Sequence, residues 1–425
     1  MRRSVTGPQR NANPAASLLA TFDSARHAAA ACGIASRGHR LDRRTFLASG
    51  GLAAATSLLP AAAAAAAADA DDDHQSRRID FFSDGLGLDP REYAARLQAM
   101  VATADFLPDN YSRGGVIARL EDRFAHLLGK PAAMFVPTGT LANHLAVRRL
   151  AGGDRRVLVQ AESHLYNDSG DGAQALSGLN LVPLAPGQAT LRLEEVQSWV
   201  ERSGGGRVRN DVGVISIESP VRRRDHAMVQ FAEFERISRY ARSQGIRVHL
   251  DGARLFALPL HSGQPVQTWA ALADTVYVSL WKHFNGASGA ILAGSDEFID
   301  GLYHERRMFG GALPAAWPQV ALIEQYVDRF QDDYARAWQV ADGLIERLQA
   351  SGRFGARKLP DGTCRFFLSV TGIAPDTLAE RLRRHDILLP GPRPDTGEFA
   401  LQVNPTLLRS DAARLAQRFL EALAG

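Results

Sequence analysis

The chain has 425 residues, 49 of them Lys or Arg against 46 Asp or Glu, for a formal net charge of +3. The excess is local: residues 1–68 hold eight arginines and two aspartates, so the remainder is slightly acidic at −3 and has no charge basis for binding nucleic acid. Cys32 lies in that first part and leaves only Cys364 beyond it, which excludes an intrachain disulfide and a cysteine-ligated metal site there.

Leu41-Asp42-Arg43-Arg44-Thr45-Phe46-Leu47 precedes a weakly apolar Gly/Ala-rich stretch over 48–59. An alanine tract over 61–68 follows and ends at Asp69-Ala70-Asp71-Asp72-Asp73. That order reads as a twin-arginine export signal with a small-residue cleavage zone. The alternative is an Ala-rich extension with a chance Arg-Arg pair, and the segment before Arg43 is long for a signal. A working leader implies the twin-arginine export machinery as a partner and a periplasmic or exported protein; a silent one implies the cytoplasm. No run of ~20 apolar residues follows, so no membrane span is expected.

From Ala132 onward, short apolar runs alternate with helix-like segments. Strands are expected at 132–136, 156–160, 180–184, 212–217, 246–250, 275–280 and 289–292, with helices at 141–150, 193–202 and 231–243. Continuously apolar strands interleaved with helices predict an α/β fold with a mainly parallel sheet covered on both faces. A long helix over 315–351 is expected to bridge to an α+β tail, with strands at 364–370 and 398–403 and helices at 375–385 and 410–423. The resulting division is a leader (1–68), an N-terminal segment packing with the small domain (69–104), a large domain (105–314), and a linking helix with a small C-terminal domain (315–425).

Chemistry concentrates where these strands end, the place ligands occupy in open α/β sheets. Asp251-Gly252-Ala253-Arg254 follows one apolar run, and Lys282 follows the next, 31 residues after Asp251. A carboxylate to keep a pyridine nitrogen protonated and a lysine to hold an aldehyde as a Schiff base are what a pyridoxal phosphate site requires. The chain has only three lysines, Lys130, Lys282 and Lys358, so one inside a hydrophobic stretch stands out. Pro137-Thr138-Gly139-Thr140 opens a helix whose N–H groups, with the Gly139 backbone and the Thr140 hydroxyl, suit a phosphate; it is also an ordinary strand-to-helix turn. His164 could stack on a pyridine ring or simply bond to its own loop. Asp251 could instead cap the local amides. Arg254 could clamp a carboxylate or sit in an ion pair.

Taken together, Gly129–Asn143, His164, His249–Arg254 and Ser279-Leu280-Trp281-Lys282 resemble the L-threonine aldolase branch of the fold-type-I pyridoxal phosphate enzymes, beside the β-eliminating lyases. Ile79-Asp80-Phe81-Phe82-Ser83-Asp84 resembles that family's opening Asp-Leu-Arg-Ser-Asp, and Arg306-Arg307-Met308-Phe309-Gly310-Gly311 its Arg-Lys-Met-x-Gly-Gly turn. The resemblance implies an aspartate-aminotransferase-like fold, a small amino acid substrate, and a homodimer or homotetramer with sites between subunits. It implies Lys282 and His164 as catalytic groups, and Gly139, Thr140, His164, Asp251, Lys282 and Arg307 around the cofactor. Ser83 and Arg254 would hold the substrate, and no metal is implied.

Three departures stand beside it. Glu218-Ser219-Pro220-Val221 replaces the family's Glu-Asn-Thr-His, so the histidine at the substrate's β-hydroxyl is missing. His283-Phe284-Asn285-Gly286 replaces a small, Gly-rich loop after the lysine. Near Leu401-Gln402-Val403-Asn404 the second carboxylate-binding arginine has no counterpart, with Arg393 and Arg409 close in sequence but unaligned. The expected reaction is cleavage of a β-hydroxy-α-amino acid to glycine and an aldehyde. The alternatives are β-elimination, racemisation or transamination on the same cofactor, or a binding protein of this fold without catalysis.

Overall fold

The computed structural model describes residues 78–424, so the expected leader, with Arg43, Arg44 and Cys32, lies outside the described residues. The N-terminal segment opens with a short strand, β1 (Ile79–Asp80). Then come β2 (Ala132–Val136), β3 (Arg156–Gln160), β4 (Asn180–Leu184), β5 (Val212–Glu218), β6 (Arg247–Asp251), β7 (Thr275–Ser279) and β8 (Ala290–Gly294). These seven form one sheet in the order β2-β8-β7-β6-β5-β3-β4. β8 runs antiparallel to both neighbours, and the other pairs are parallel. The mainly parallel sheet thus has the fold-type-I character expected of it.

Every residue of β5, β7 and β8 is buried, which requires cover on both faces. Alternate residues of β2 supply it: Phe135 joins one apolar core, Met134 and Val136 another. The helix Gly115–Leu128 packs its Val116, Ile117, Leu120 and Phe124 into the first core. The helix Gly139–Ala151 packs Ala142, Leu145 and Ala146 into the second. With both faces closed, the exits of β2, β3, β5, β6 and β7 open at one edge of the sheet.

The C-terminal part holds an antiparallel sheet in the order β12-β10-β9, formed by β9 (Phe354–Lys358), β10 (Arg365–Val370) and β12 (Phe399–Gln402). Strand β11 (Ile387–Leu388) pairs in parallel with β1 instead. Phe81 makes edge-on ring contacts with Phe366 and Phe419. Buried Asn404 donates from Nδ2 to the carbonyls of Asp80 (2.6 Å) and Ser83 (2.9 Å). These contacts pin the N-terminal segment to the small sheet.

The expected single helix over 315–351 is broken into Trp317–Val320, Glu324–Val327 and Phe330–Ala350. Ala316, Val320, Ala321, Leu322, Ile323, Tyr326 and Val327 are buried, while Gln325, Asp328 and Arg329 are exposed. Tertiary packing of the buried residues overrides the continuous helix that the composition suggests. Asp109 fixes its start by accepting from the backbone N–H of Ala316 and Trp317. Among the described residues no helix is long and apolar enough to cross a membrane.

Candidate active site

The strand exits at that edge enclose a cavity of about 180 Å³ lined by Gly139, Thr140, His164, Asp251, Arg254 and Lys282, six of the eight residues singled out from sequence. Asp251, 3 % exposed, ends β6 at its floor. Its carboxylate accepts from Asn143 Nδ2 at 2.6 Å and from the Ala253 backbone N–H at 3.1 Å. Behind it, Asn143 Oδ1 meets His249 Nε2 at 2.8 Å, and His249 Nδ1 meets the Thr275 hydroxyl at 2.9 Å. Burial pushes the His249 imidazole down to about 4, so it is neutral. An amide oxygen can only accept, so the proton is on Nε2 and Thr275 donates to Nδ1. This relay holds Asp251 without adding a charge beneath it.

Lys282 lies three residues beyond the end of β7. Burial first, then the Arg254 guanidinium, lowers its ammonium pKa to about 8, against the pull of Asp84, Asp251 and Glu218. Thr138 caps the helix at Gly139, accepting from the Leu141 N–H at 3.2 Å. Gly139 must be glycine: a Cβ there would lie 1.9 Å from Tyr277 Oη. Ser288, which the sequence reading missed, also lines the cavity and donates to the Pro137 carbonyl at 2.8 Å.

His164 opens a short helix after β3, capped by Ser163. Its ring lines the cavity with Nδ1 buried and without a partner, while its backbone N–H donates to Glu218 Oε2 at 2.6 Å. Glu218 accepts from the Arg222 N–H at 2.8 Å through its other oxygen. Burial, then the charge of Asp251, raises the Glu218 carboxyl above its ordinary value. The altered Glu218–Val221 segment therefore still supplies a carboxyl that positions the His164 loop.

Arg254 forms a bidentate ion pair with Asp84, Nε to Oδ1 at 2.7 Å and Nη2 to Oδ2 at 2.8 Å, with both side chains buried. Gln402 Nε2 also donates to Asp84. Burial opposes the charge on Asp84, but Arg254 outweighs it and holds the carboxyl well below the usual carboxylate range. Neither Asp84 nor Gln402 was expected at the site, whereas the resemblance implied Ser83 there. Ser83 does not line the cavity; its hydroxyl donates to Asp80 Oδ2 at 2.6 Å, within a turn whose amides Asp80 also binds. Arg307 is likewise apart, exposed with its guanidinium 5.3 Å from the Tyr111 ring centre.

The two arginines left unaligned are used elsewhere. Arg393 pairs with Asp225 at 2.8 Å, and Arg409 donates to the carbonyls of Arg78 and Leu86. His226, also unanticipated, is fully buried with neither ring nitrogen bonded. Burial, then the charges of Arg254 and Arg365, pushes it well below the ordinary histidine range. It stands five residues beyond the position of the missing histidine, in a turn where Asp225 and His226 both have positive φ.

The donor set fits pyridoxal phosphate: a capped helix start with Thr140 and Ser288 for phosphate, Asp251 for the ring nitrogen, the unpartnered His164 imidazole for a face, and a lysine that gives up its proton near neutrality. Only the neutral amine attacks an aldehyde, so reconstitution of the cofactor-free protein should accelerate as pH rises through about 8, then level off. Stopped-flow absorbance of pyridoxal phosphate uptake checks this; a rate that is flat until pH 10 contradicts the lowered Lys282 pKa.

Residues 80–351 match the Beta-eliminating lyase family. The low specificity L-threonine aldolase of Saccharomyces cerevisiae is 26 % identical over 65 % of this chain and 71 % of its own. The alanine racemase TOXG of Cochliobolus carbonum is 26 % identical over 75 % of this chain and 82 % of its own. A solved structure from Listeria monocytogenes, provisionally named an L-allo-threonine aldolase, superposes with a TM-score of 0.68 at 26 % identity, covering 83 % of this chain and 98 % of that one. The chain is a pyridoxal phosphate protein and belongs to the beta-eliminating lyase family.

Proposed function

We propose that this chain is a lyase that cleaves the Cα–Cβ bond of a threonine-like β-hydroxy-α-amino acid, releasing glycine and an aldehyde. The observation that carries the reading is that Lys282, Asp251, His164 and Arg254 line one cavity at the sheet edge. Pyridoxal phosphate, when bound, supplies the electron sink for the pair released from that bond. Asp251 keeps a negative charge at the floor, where a protonated ring nitrogen is stabilised. Arg254, fixed by Asp84, presents its remaining guanidinium edge to the substrate carboxylate. Lys282 is the amine that anchors the cofactor and yields to the substrate's amine. The β-hydroxyl proton passes to a water or to the His164 ring, since the family's usual histidine is absent.

Holoenzyme incubated with L-threonine, L-allo-threonine, phenylserine and serine is expected to give glycine and aldehyde in equal amounts from at least one β-hydroxy substrate. Lys282→Ala abolishes that yield. Keto acid and ammonia without glycine contradict Cα–Cβ cleavage and indicate β-elimination instead. The racemase relative favours one second reading, racemisation at Cα, which D-alanine formed from L-alanine at a comparable rate would establish.

The site is proposed to be completed by a second copy of the chain. Support comes from Arg307, exposed beside Tyr111, and from the exposed apolar side chains Phe82, Trp281 and Met308. Export through the twin-arginine machinery is proposed from Arg43-Arg44 and the alanine-rich stretch that follows. A variant with Arg43→Lys and Arg44→Lys should stay in the cytoplasm. Unchanged recovery from the periplasmic fraction removes the export reading.

A further inference from the structure

A second cavity, of about 290 Å³, shares no lining residue with the catalytic one and begins at the residue after Lys282. His283 forms part of its wall. The His283 ring is 3 % exposed, stacks on Phe330 at 4.1 Å and 13°, and makes no hydrogen bond. Burial pushes it down to about 3, so the ring is neutral, with one N–H and one lone pair. Its ring nitrogens make no bond within the protein, yet unlike those of His226 they are not sealed from the cavity. The ring's polar edge is therefore open to a hydrogen-bonding occupant of the cavity it lines.

The remaining wall has a surplus of positive charge. Arg329 and Arg336 share one carboxylate, Asp333, at 2.7 and 3.5 Å. Arg409 bonds only to backbone carbonyls, those of Arg78 at 2.7 Å and Leu86 at 3.2 Å. Three guanidinium groups thus face one acid. The Phe330 ring and Leu86 supply apolar surface between them. A guanidinium surplus, an unpaired imidazole and an apolar floor suit an anion that carries an apolar body.

We propose that this cavity is a second ligand site that takes a small amphipathic carboxylate. The carboxylate meets Arg329, Arg336 and Arg409, the apolar body lies against Phe330 and Leu86, and His283 makes the hydrogen bond it now lacks. The site does not rest on the reaction proposed above. Two parts of its wall belong to segments that also build the catalytic cavity: His283 follows Lys282, and Leu86 lies two residues beyond Asp84. The two segments are joined where the Leu86 N–H donates to Asn285 Oδ1 at 2.7 Å. The His283–Gly286 departure from the family's loop thereby acquires a purpose.

Isothermal titration of the holoenzyme with phenylacetate, beside its neutral isostere phenylacetamide, tests the site. Saturable binding of phenylacetate is expected in the millimolar range or tighter, with the amide about tenfold weaker. The variant with Arg329→Gln and Arg336→Gln should also bind phenylacetate about tenfold more weakly, and His283→Leu should weaken it in the same direction. His164→Ala, which alters only the catalytic cavity, should give the wild-type isotherm. No saturable binding, equal binding of acid and amide, or a loss confined to His164→Ala overturns the proposal.

Discussion

The buried ion pair between Arg254 and Asp84 is the contact on which the substrate half of this site depends. Taking two charges out of water costs several kcal/mol each, and only good geometry with further hydrogen bonds offsets it. Here the guanidinium fork meets both carboxylate oxygens at 2.7 and 2.8 Å, and Gln402 adds a third donor. The pair joins the loop after β6, the N-terminal segment and β12, three stretches far apart in sequence. Removing either partner would strand the other as an unpaired buried charge, at a cost of about 3–5 kcal/mol. Arg254 is therefore held in one orientation before any substrate arrives, which lowers the entropy cost of binding a carboxylate there.

The cofactor half is built differently. Asp251 sits on a strand end, and neutral groups back it through Asn143, His249 and Thr275. Its charge is neither cancelled nor crowded from below, so it remains available to a protonated ring nitrogen. Lys282 shares the cavity with Arg254, whose positive charge helps burial to lower the lysine's proton affinity. The arginine that would receive the substrate thus also primes the amine that would release it. One charge serves both halves.

Much of this was legible in the sequence because strands interrupted by chemistry leave a local pattern. Continuous apolar runs ending in Asp251 and at Lys282 required no knowledge of the tertiary fold. The partners of Arg254 are a different matter: Asp84 is 170 residues away and Gln402 lies on another sheet. The resemblance pointed to Ser83 and not to Asp84, because a motif fixes spacing but not which side chain a turn captures. Asp80 binds the Phe82 and Ser83 amides and the Ser83 hydroxyl, and so takes Ser83 for structure. His226 escaped notice because its burial beside Arg254 and Lys282 follows from a left-handed turn, which its composition does not announce. The segment 315–328 reads as helix because Ala316, Val320, Ile323 and Val327 recur at spacings of three and four, a local pattern that does not show where packing interrupts the helix.

The claim that Asp84 orients Arg254 as the receptor for a substrate carboxylate is tested most directly by glycine binding to holoenzyme carrying Asp84→Asn. Visible absorbance follows the titration, with methylamine, which lacks the carboxylate, as the control. The account predicts glycine binding weakened about tenfold or more, with methylamine unchanged. Glycine binding that is unchanged or tighter would mean that Asp84 competes for Arg254 rather than presenting it, and would contradict the account.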